Sequence, residues 1–547
     1  MKLSRRQFAA IAGTSLGSAC APLPSINRSR PHFAPSWQSL TEQFAIPDWF
    51  RDAKFGIWAH WGPQCVPMQG DWYARRMYLQ GDWKYDHHLR TYGHPSEHGF
   101  IDLLDSWTAE KWDPGALLDL YERAGAKYFM ALANHHDNFD CFDSRYHPWN
   151  SMRIGPKRDI VGTWEKHSRE RGMKFAISNH GSHAWHWFQP AYGYDPEGPL
   201  KGQRYDAWRL SVADGQGKSW EGLDPQQFYT GAMMPMPSGI DSIAEANAWH
   251  EANDRVWTED APPDNPAFVA KWKARAIDMI DKYKPDMFYF DNSEDLPFGQ
   301  DGLDVLAHYY NRGLEWHGGE QRIGATVKLL PPEKNGAVIT DIERGNIQDI
   351  ASEPWQSGTC IGDWFYDENV FHRHEYKSAR TIIHRLCDTV AKNGNLMLSV
   401  PLRPDGTHDA DELAILEELA EWMAINGEAI FGTRPAHIFG EGPTQVEAGA
   451  FGESNVSSFS DKDIRFTRKG DTLYAIALGV PQDRIIRIRN LGGVAVERAE
   501  LLGTNGALQL RHEGNGLVVQ LPQDIRVKHS ICLRLQGNRS AASASTQ

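Results

Sequence analysis

Length, composition and charge exclude several classes of protein. The chain has 547 residues, too many for one hydrophobic core, so we expect a large domain and at least one smaller one. Its hydrophobic fraction of 41% and charged fraction of 23% are typical of packed globular domains. No stretch approaches the roughly 18 to 20 apolar residues that span a bilayer, which excludes an integral membrane protein. The net charge of -14 argues against nucleic acid as the main partner, because phosphate binding needs clustered lysine and arginine.

The first residues of the chain resemble an export signal. Ser4-Arg5-Arg6-Gln7-Phe8 places paired arginines before a short run rich in Gly, Ala and Ser that ends near Ala19, the pattern of a twin-arginine leader. We therefore expect residues 1–30 to be an export signal with its spacer, and the protein to be periplasmic or secreted. Lipid anchoring through Cys20 is an alternative to free release, and a basic N-terminus without a targeting role is the other interpretation.

From residue 36 to residue 433 the sequence predicts a barrel of parallel strands. Short β-branched or aromatic runs alternate with longer amphipathic stretches, the pattern of strands joined by crossover helices. The predicted strands are Phe55–Ala59, Tyr128–Ala133, Lys174–Ser178, Met287–Phe290, Ile323–Lys328, Val338–Ile342 and Leu396–Val400. The predicted helices include Pro114–Ala124, Arg158–Arg171, Ala267–Tyr283 and Ser378–Asn393. Seven strands indicate an α/β fold of the (β/α)8-like TIM barrel type, with the missing strand expected between Ile347 and Ile361.

Two further segments have a different character. Residues 185–265 follow the third strand and are rich in Gly, Pro, Trp and Tyr, so we expect an insertion on the C-terminal face of the barrel, where it would serve a site. Residues 434–538 contain short alternating runs separated by Gly, Asp and Asn turns, which predicts a C-terminal antiparallel β-sandwich domain. We expect residues 539–547 to be a disordered tail.

Polar residues follow several of the predicted barrel strands. Because the carboxyl ends of barrel strands point toward one pocket, their order alone predicts a constellation of side chains at one rim. Its members are His60, His135, His136, Asn179, His180, Asp291 and Glu343.

Asp291 and Glu343 are the candidate catalytic pair. A carboxylate at the end of the apolar run Met287–Phe290 is costly unless something uses or pairs it, and capping of the next loop is the plainer interpretation of Asp291. A glycosidase needs one ionised carboxyl and one that holds a proton. Glu343 could supply the second, although Asp341, Asp349 and Glu353 compete, and Glu343 could simply pair with Arg344.

Neither the cysteines nor the histidines indicate a metal. The six cysteines are scattered and form no CxxC pair. His135 and His136 are adjacent, and adjacent residues of a strand face opposite sides, so we do not expect both to bind one metal ion. Barrel metal sites more often use the spacing HxH, which is absent here. We expect no metal and no other cofactor, and we interpret the histidines as sugar-binding groups or as structural core residues.

Several blocks of sequence, in order, resemble glycoside hydrolase family 29, the α-L-fucosidases. The resemblance covers roughly Ile46 to Pro435, and several blocks in the right order are more specific than any single one. The blocks are Trp49–Gly62, Ala126–Phe139, Asp143-Ser144, Trp149-Asn150-Ser151, Arg158–Gly162, Phe290-Asp291-Asn292, Lys392–Leu396 and Asn426–Ile430.

The resemblance implies a retaining double displacement with Asp291 as the nucleophile. It also implies that His60, Trp72, His135 and His136 line the sugar pocket, and it carries Glu343 over as the acid/base on a shorter similarity. Two positions depart from the family pattern: Asp71 stands where a glutamate is usual before Trp72, and His180 lies where a tyrosine is common after the third strand. We include Asp71 and His180 in the predicted sugar-binding set, and their departures bear on the sugar rather than on the reaction.

The leading hypothesis is release of terminal α-L-fucose from fucosylated oligo- or polysaccharides. A close alternative is an α-L-galactosidase that acts on L-galactose-containing glycans, because L-galactose differs from L-fucose only by a C6 hydroxyl. A non-catalytic glycan-binding protein and a metal-dependent barrel hydrolase are the hypotheses from other classes.

Overall fold

The computed structural model describes residues 32–455, 458–525 and 527–539. The predicted export signal and Cys20 therefore lie outside the described residues. Residues 540–547 of the predicted tail also lie outside the described residues. Arg539, the first residue of that predicted tail, is instead the last residue of a strand. Within the described ranges no helix is both long and apolar enough to cross a bilayer.

Eight parallel strands close into a barrel, which confirms the predicted fold class. Each strand pairs with its neighbour in chain order, and the first strand also pairs with the eighth. The barrel strands are β1 Phe55–Ala59, β2 Tyr128–Asn134, β3 Lys174–Asn179, β4 Met287–Ser293, β5 Gly324–Lys328, β6 Ile339–Asp341, β7 Trp355–Cys360 and β8 Gly394–Ser399.

Helices surround the barrel and also occur in the insertion after β3. They are α1 Trp37–Gln43, α2 Asp48–Ala53, α3 Tyr73–Arg76, α4 Trp83–Thr91, α5 Pro114–Arg123, α6 Ile160–Glu170, α7 Ala184–Trp187, α8 Asp206–Arg209, α9 Pro225–Phe228, α10 Ile243–Ala252, α11 Pro266–Tyr283, α12 Gln300–Trp316, α13 Glu368–Arg373, α14 Ala379–Ala391 and α15 Ala410–Asn426. Several begin at a side-chain cap: the carboxylate of Asp159, for example, accepts from the amide of Gly162 at the start of α6.

The two-residue period of the strands separates the barrel interior from the helical layer. On β2, Tyr128 and Met130 belong to the cluster inside the barrel, whereas Phe129 and Ala131 pack against the surrounding helices. Phe50 of α2 belongs to the interior cluster and its ring packs against Tyr128. The barrel is therefore a filled core, which leaves its open end as the place for a site.

The structure locates the eighth strand and lengthens the fourth. The eighth strand is β7, which lies in the interval Ile347 to Ile361 where we expected it; its sequence Trp-Gln-Ser-Gly-Thr-Cys is fully buried but carries no β-branched or aromatic run that would have marked its ends. Strand β4 extends past Phe290 to Ser293, and its register with β5 shifts between those two residues. Asp291 thus lies within an irregular strand end and does not follow it.

The C-terminal domain consists of two antiparallel sheets. A five-stranded sheet has the order β13-β16-β11-β10-β9, and a three-stranded sheet has the order β12-β15-β14. Its strands are β9 Arg434–Glu441, β10 Ile464–Lys469, β11 Thr472–Ala477, β12 Ile485–Ile488, β13 Val494–Leu501, β14 Leu510–Glu513, β15 Gly516–Gln520 and β16 Ile531–Arg539. Buried polar contacts join this domain to the barrel, including the 2.6 Å ion pair between Asp388 of α14 and Arg465 of β10.

Candidate active site

A cavity of about 420 Å³ opens at the carboxyl ends of the barrel strands. Its lining contains the predicted catalytic and sugar-binding residues: Asp291, Glu343, His60, Asp71, Trp72, His135, His136 and His180. Asn179, which we also expected at this rim, is buried outside the lining, where its Oδ1 atom accepts a hydrogen bond from the amide of Gly181. Alternation along the strands explains part of this arrangement. Trp58 and His60 follow one another at a spacing of two, as do Tyr289 and Asp291, so each pair points to the same side of its strand.

His135 and His136 both line the cavity, which corrects the expectation that neighbouring residues would face opposite sides. Strand β2 ends at Asn134, so both histidines follow the strand and their side chains do not have to alternate between its two faces. Ring nitrogens of His135, His136 and His180 lie within 4.8 Å of one another, close enough to hold a metal ion. The spacing argument against a metal therefore does not apply to these residues.

Asp291 is buried and surrounded by positively polarised groups. His180 Nδ1 lies 2.9 Å and His136 Nε2 lies 3.3 Å from its Oδ2 atom, while the ammonium group of Lys328 contacts Oδ1. Burial alone would raise the pKa of Asp291, but Lys328 and the two imidazoles outweigh it and hold that pKa well below its usual range. Asp291 is therefore a carboxylate at any ordinary pH.

Lys328 joins the two candidate catalytic residues. Its Nζ atom contacts Asp291 and lies 2.7 Å from Glu343 Oε2. Burial would lower the pKa of Lys328, but the two acidic neighbours hold it well above its ordinary value. Our interpretation of the sequence missed Lys328, although it is the last residue of the predicted fifth strand and follows the same strand-end rule as the others.

The other carboxyl groups that competed with Glu343 lie elsewhere. Asp341 is buried outside the cavity lining and accepts a 2.9 Å hydrogen bond from the Gln356 amide. Glu353 is 70% exposed and pairs with Arg51, and Asp349 is exposed. Of these four carboxyls, only Glu343 shares the cavity with Asp291.

His60, His135 and His180 provide neutral hydrogen-bonding groups. His60 Nδ1 lies 2.9 Å from Ser399 Oγ, and His135 Nδ1 lies 2.8 Å from the Gln64 amide nitrogen. Burial, together with the neighbouring imidazoles, lowers the pKa of His60 and His135 well below the usual range, and burial also lowers that of His180. A neutral imidazole has one donor and one acceptor, which suits the hydroxyl groups of a sugar.

Asp71 and Trp72 line the cavity next to His135 and His136. Asp71 Oδ1 is 3.9 Å from His135 Nε2, and burial together with the nearby carboxylate of Asp363 raises the pKa of Asp71 well above its usual value. Trp72 stacks on Trp257 with ring centroids 6.2 Å apart and planes 10° from parallel.

Trp257 comes from the insertion after β3, which thus supplies part of the cavity lining. A buried ion pair holds this segment on the barrel: Arg75 of α3 lies 2.5 Å from Asp254, and the other Asp254 oxygen lies 2.7 Å from His250. The sequence predicted that the insertion would lie at this face, but no local pattern identified Trp257.

Comparison with known proteins shows which family the chain resembles. The α-L-fucosidase family profile matches residues 23–428, and the profile of the α-L-fucosidase C-terminal domain matches residues 458–536. Tissue α-L-fucosidase of Rattus norvegicus is 22% identical over 500 residues, covering 90% of this chain and 89% of its own length. The Bos taurus tissue enzyme is 24% identical over 518 residues, covering 90% and 88%.

Solved structures agree at the level of the fold. An α-L-fucosidase superimposes with a TM-score of 0.67 at 23% identity, covering 92% of this chain and 100% of that one. The Thermotoga maritima α-fucosidase in complex with fucose gives a TM-score of 0.64 at 24% identity with the same coverage. The family profile spans most of the chain, and the chain therefore belongs to the α-L-fucosidase family of glycoside hydrolases.

Proposed function

We propose that the protein is a retaining exo-glycosidase that releases terminal α-L-fucose from glycans through a covalent glycosyl-enzyme, with Asp291 as the nucleophile and Glu343 as the acid/base. The contact of both carboxyl groups with Lys328 carries this proposal. The distance between the two carboxylate oxygens that contact Lys328 Nζ cannot exceed the sum of their two distances to that nitrogen. So short a separation favours a retaining enzyme, in which the two carboxyl groups lie about 5 to 5.5 Å apart, over an inverting one, in which they lie roughly 6.5 to 9.5 Å apart.

In the first step Asp291 attacks the anomeric carbon while Glu343 donates its proton to the departing glycosidic oxygen. Negative charge leaves Asp291 as the ester forms and appears on Glu343 as it loses its proton. Lys328 contacts both groups, so its positive charge stabilises the carboxylate before and after this transfer. Glu343 then removes a proton from the water that hydrolyses the intermediate.

A related protein supports the covalent route. The structure of a Bacteroides thetaiotaomicron α-L-fucosidase is described as a trapped covalent intermediate with 2-fluoro-fucosyl fluoride, and it superimposes on this chain with a TM-score of 0.58 at 17% identity.

External azide tests both assigned roles in one experiment. If Asp291 is the nucleophile, Asp291→Gly should lose roughly 10³-fold or more in rate on an aryl α-L-fucoside, and azide should restore turnover with a β-L-fucosyl azide product. If Glu343 is the acid/base, Glu343→Ala with azide should instead give the α-azide, because azide then attacks the glycosyl-enzyme from the face that Glu343 serves.

Glu353→Ala is the matched control, since this exposed glutamate lies outside the cavity lining and its loss should leave the rate unchanged. An inactive wild-type protein, an Asp291 variant near wild-type activity, or azides of the opposite configurations would contradict the proposal.

The departure at Asp71 favours α-L-galactosides as a second substrate class. Asp71 lines the cavity and is one methylene shorter than the glutamate usual at this position in the family. A pocket rejects one added hydroxyl only weakly unless the hydroxyl clashes, by roughly 10²-fold. The retaining mechanism would be the same for both sugars.

A further inference from the structure

Two exposed apolar side chains flank Glu343 at the mouth of the cavity. Leu329 is 43% exposed and Phe451 is 63% exposed, yet both line the same cavity as the catalytic pair. Leu329 directly follows Lys328, which contacts Glu343, and the amide of Phe451 donates a 2.9 Å hydrogen bond to the backbone carbonyl of Glu343. Single exposed apolar side chains are ordinary on a protein surface, so the informative observation is that both of these line the cavity that holds Asp291 and Glu343.

The backbone at both positions is also unfavourable. Leu329 has a φ of 43° and Phe451 a φ of 58°, in the left-handed region that residues with a side chain seldom adopt. Such conformations persist only where the surrounding structure imposes them, and they concentrate at functional sites. At each position the left-handed residue carries an apolar side chain where glycine would be less strained.

A glutamate with a largely buried side chain holds the Phe451 segment on the barrel. Glu453 is 10% exposed, and its carboxylate lies 2.7 Å from Lys377 Nζ and 3.2 Å from an Arg385 nitrogen. The hydroxyl of Thr359 donates to the same carboxylate at 2.5 Å, and the Glu453 amide donates to the carbonyl of Arg344 at 2.9 Å. The C-terminal domain thus contributes a fixed segment to the barrel's site.

We infer that Phe451 and Leu329 form the binding site for the leaving sugar, and that they present an apolar surface to the C–H face of its pyranose ring. The acid/base of a retaining glycosidase must lie next to the oxygen that departs, so the leaving group lies on the Glu343 side of the cavity. The histidine side of the cavity is left for the fucosyl ring. This inference rests on the proposed function, and it makes Phe451 a specificity-determining residue whose anchor is Glu453.

The test compares substrates with and without a leaving sugar. α-L-Fucosyl fluoride releases only a fluoride ion, whereas disaccharides of α-L-fucose linked 1→2, 1→3, 1→4 or 1→6 to galactose or N-acetylglucosamine release a pyranose. Phe451→Ala should lower kcat/KM for the best-cleaved disaccharide about five- to tenfold, the contribution of one ring contact, while kcat/KM for the fluoride stays within about twofold. Phe451→Trp keeps a flat ring and should retain the wild-type ratio between the two substrates.

The control variants separate this role from a structural one. Leu413→Ala removes a leucine that is 41% exposed on the outer helix α15 and should leave the ratio unchanged, whereas Leu329→Ala should lower it. Glu453→Gln should lower the ratio in the same direction as Phe451→Ala, because the segment loses its charged anchor.

Each unfavourable outcome has its own meaning. Equal losses on fluoride and disaccharide, no loss on either, or a wild-type protein that cleaves the fluoride but none of the disaccharides would overturn the inference alone. A wild-type protein inactive on both substrates would overturn the proposed function instead.

Discussion

The Nζ atom of Lys328 lies 2.7 Å from Glu343 Oε2 while it also contacts Asp291. One positive charge therefore serves both carboxyl groups of the proposed mechanism. No other lysine or arginine of the described residues lines this cavity, so the charge has no substitute there.

Replacing Lys328 by methionine should slow the reaction and shift its pH dependence. Loss of the ammonium group should reduce kcat/KM about 10² to 10³-fold, as for other preorganised charges at a reacting centre. Lys328 lowers the pKa of Asp291, so its removal raises that pKa. The acid limb of the pH profile of kcat/KM should then move to higher pH.

Lys334→Met is the control for this pH profile. Lys334 pairs with Asp295 at 2.7 Å outside the cavity lining, and its loss should leave the profile in place. A Lys328→Met profile that coincides with the wild-type profile would show that the ammonium group does not set the ionisation of Asp291.

Lengthening Asp71 should change the choice between the two sugars. Asp71→Glu adds the missing methylene and should lower kcat/KM for an aryl α-L-galactoside relative to the α-L-fucoside about tenfold, because the added hydroxyl loses its space. Side-by-side kinetics on the two aryl glycosides measure this ratio. An unchanged ratio would mean that Asp71 does not face C6 of the sugar.

Breaking the buried pair that holds the insertion should destabilise the protein strongly. Asp254→Asn leaves the Arg75 guanidinium buried without a counter-charge, and we expect a loss of about 3 to 5 kcal/mol in the free energy of unfolding. Urea denaturation measures it. Asp241→Asn removes an exposed pair with Lys201 in the same insertion and should cost less than about 1 kcal/mol. Similar costs for the two variants would contradict this account.

The buried carboxyl of Asp341 predicts a pH dependence of stability. Burial raises the pKa of Asp341 to about 7. A pKa raised above its unfolded value of about 4 stabilises the folded state at low pH, and that stabilisation is lost as the pH rises through about 7. The asparagine of Asp341→Asn cannot ionise, so this variant does not lose stability through that ionisation. Its free energy of unfolding, measured relative to wild type, should therefore rise between pH 4 and pH 8 by up to roughly 4 kcal/mol.

Denaturant unfolding at the two pH values measures this difference. Asp349→Asn, at an exposed position, should show the same difference from wild type at both. A constant offset between Asp341→Asn and wild type would contradict the predicted ionisation.

The fold and most of the candidate site were predictable because their signals are local. The two-residue period of β1 and β4 places Trp58 with His60 and Tyr289 with Asp291, and the order of strands brings their carboxyl ends together. Signals failed where strands are irregular. The register of β13 with β16 shifts between Val496 and Arg498, which interrupts the alternation that a sequence pattern detects.

By itself the sequence determined the barrel, the position of Asp291 and the set of histidines around it, since each depends on the residues of one strand and on strand order. Only the tertiary structure decided that Lys328 contacts both Asp291 and Glu343, because that contact depends on how β4, β5 and β6 are staggered. It also decided that Trp257 and Phe451 reach the cavity. Both residues come from segments outside the barrel strands, and long-range ion pairs of Asp254 and Glu453, which no local pattern encodes, hold them in place.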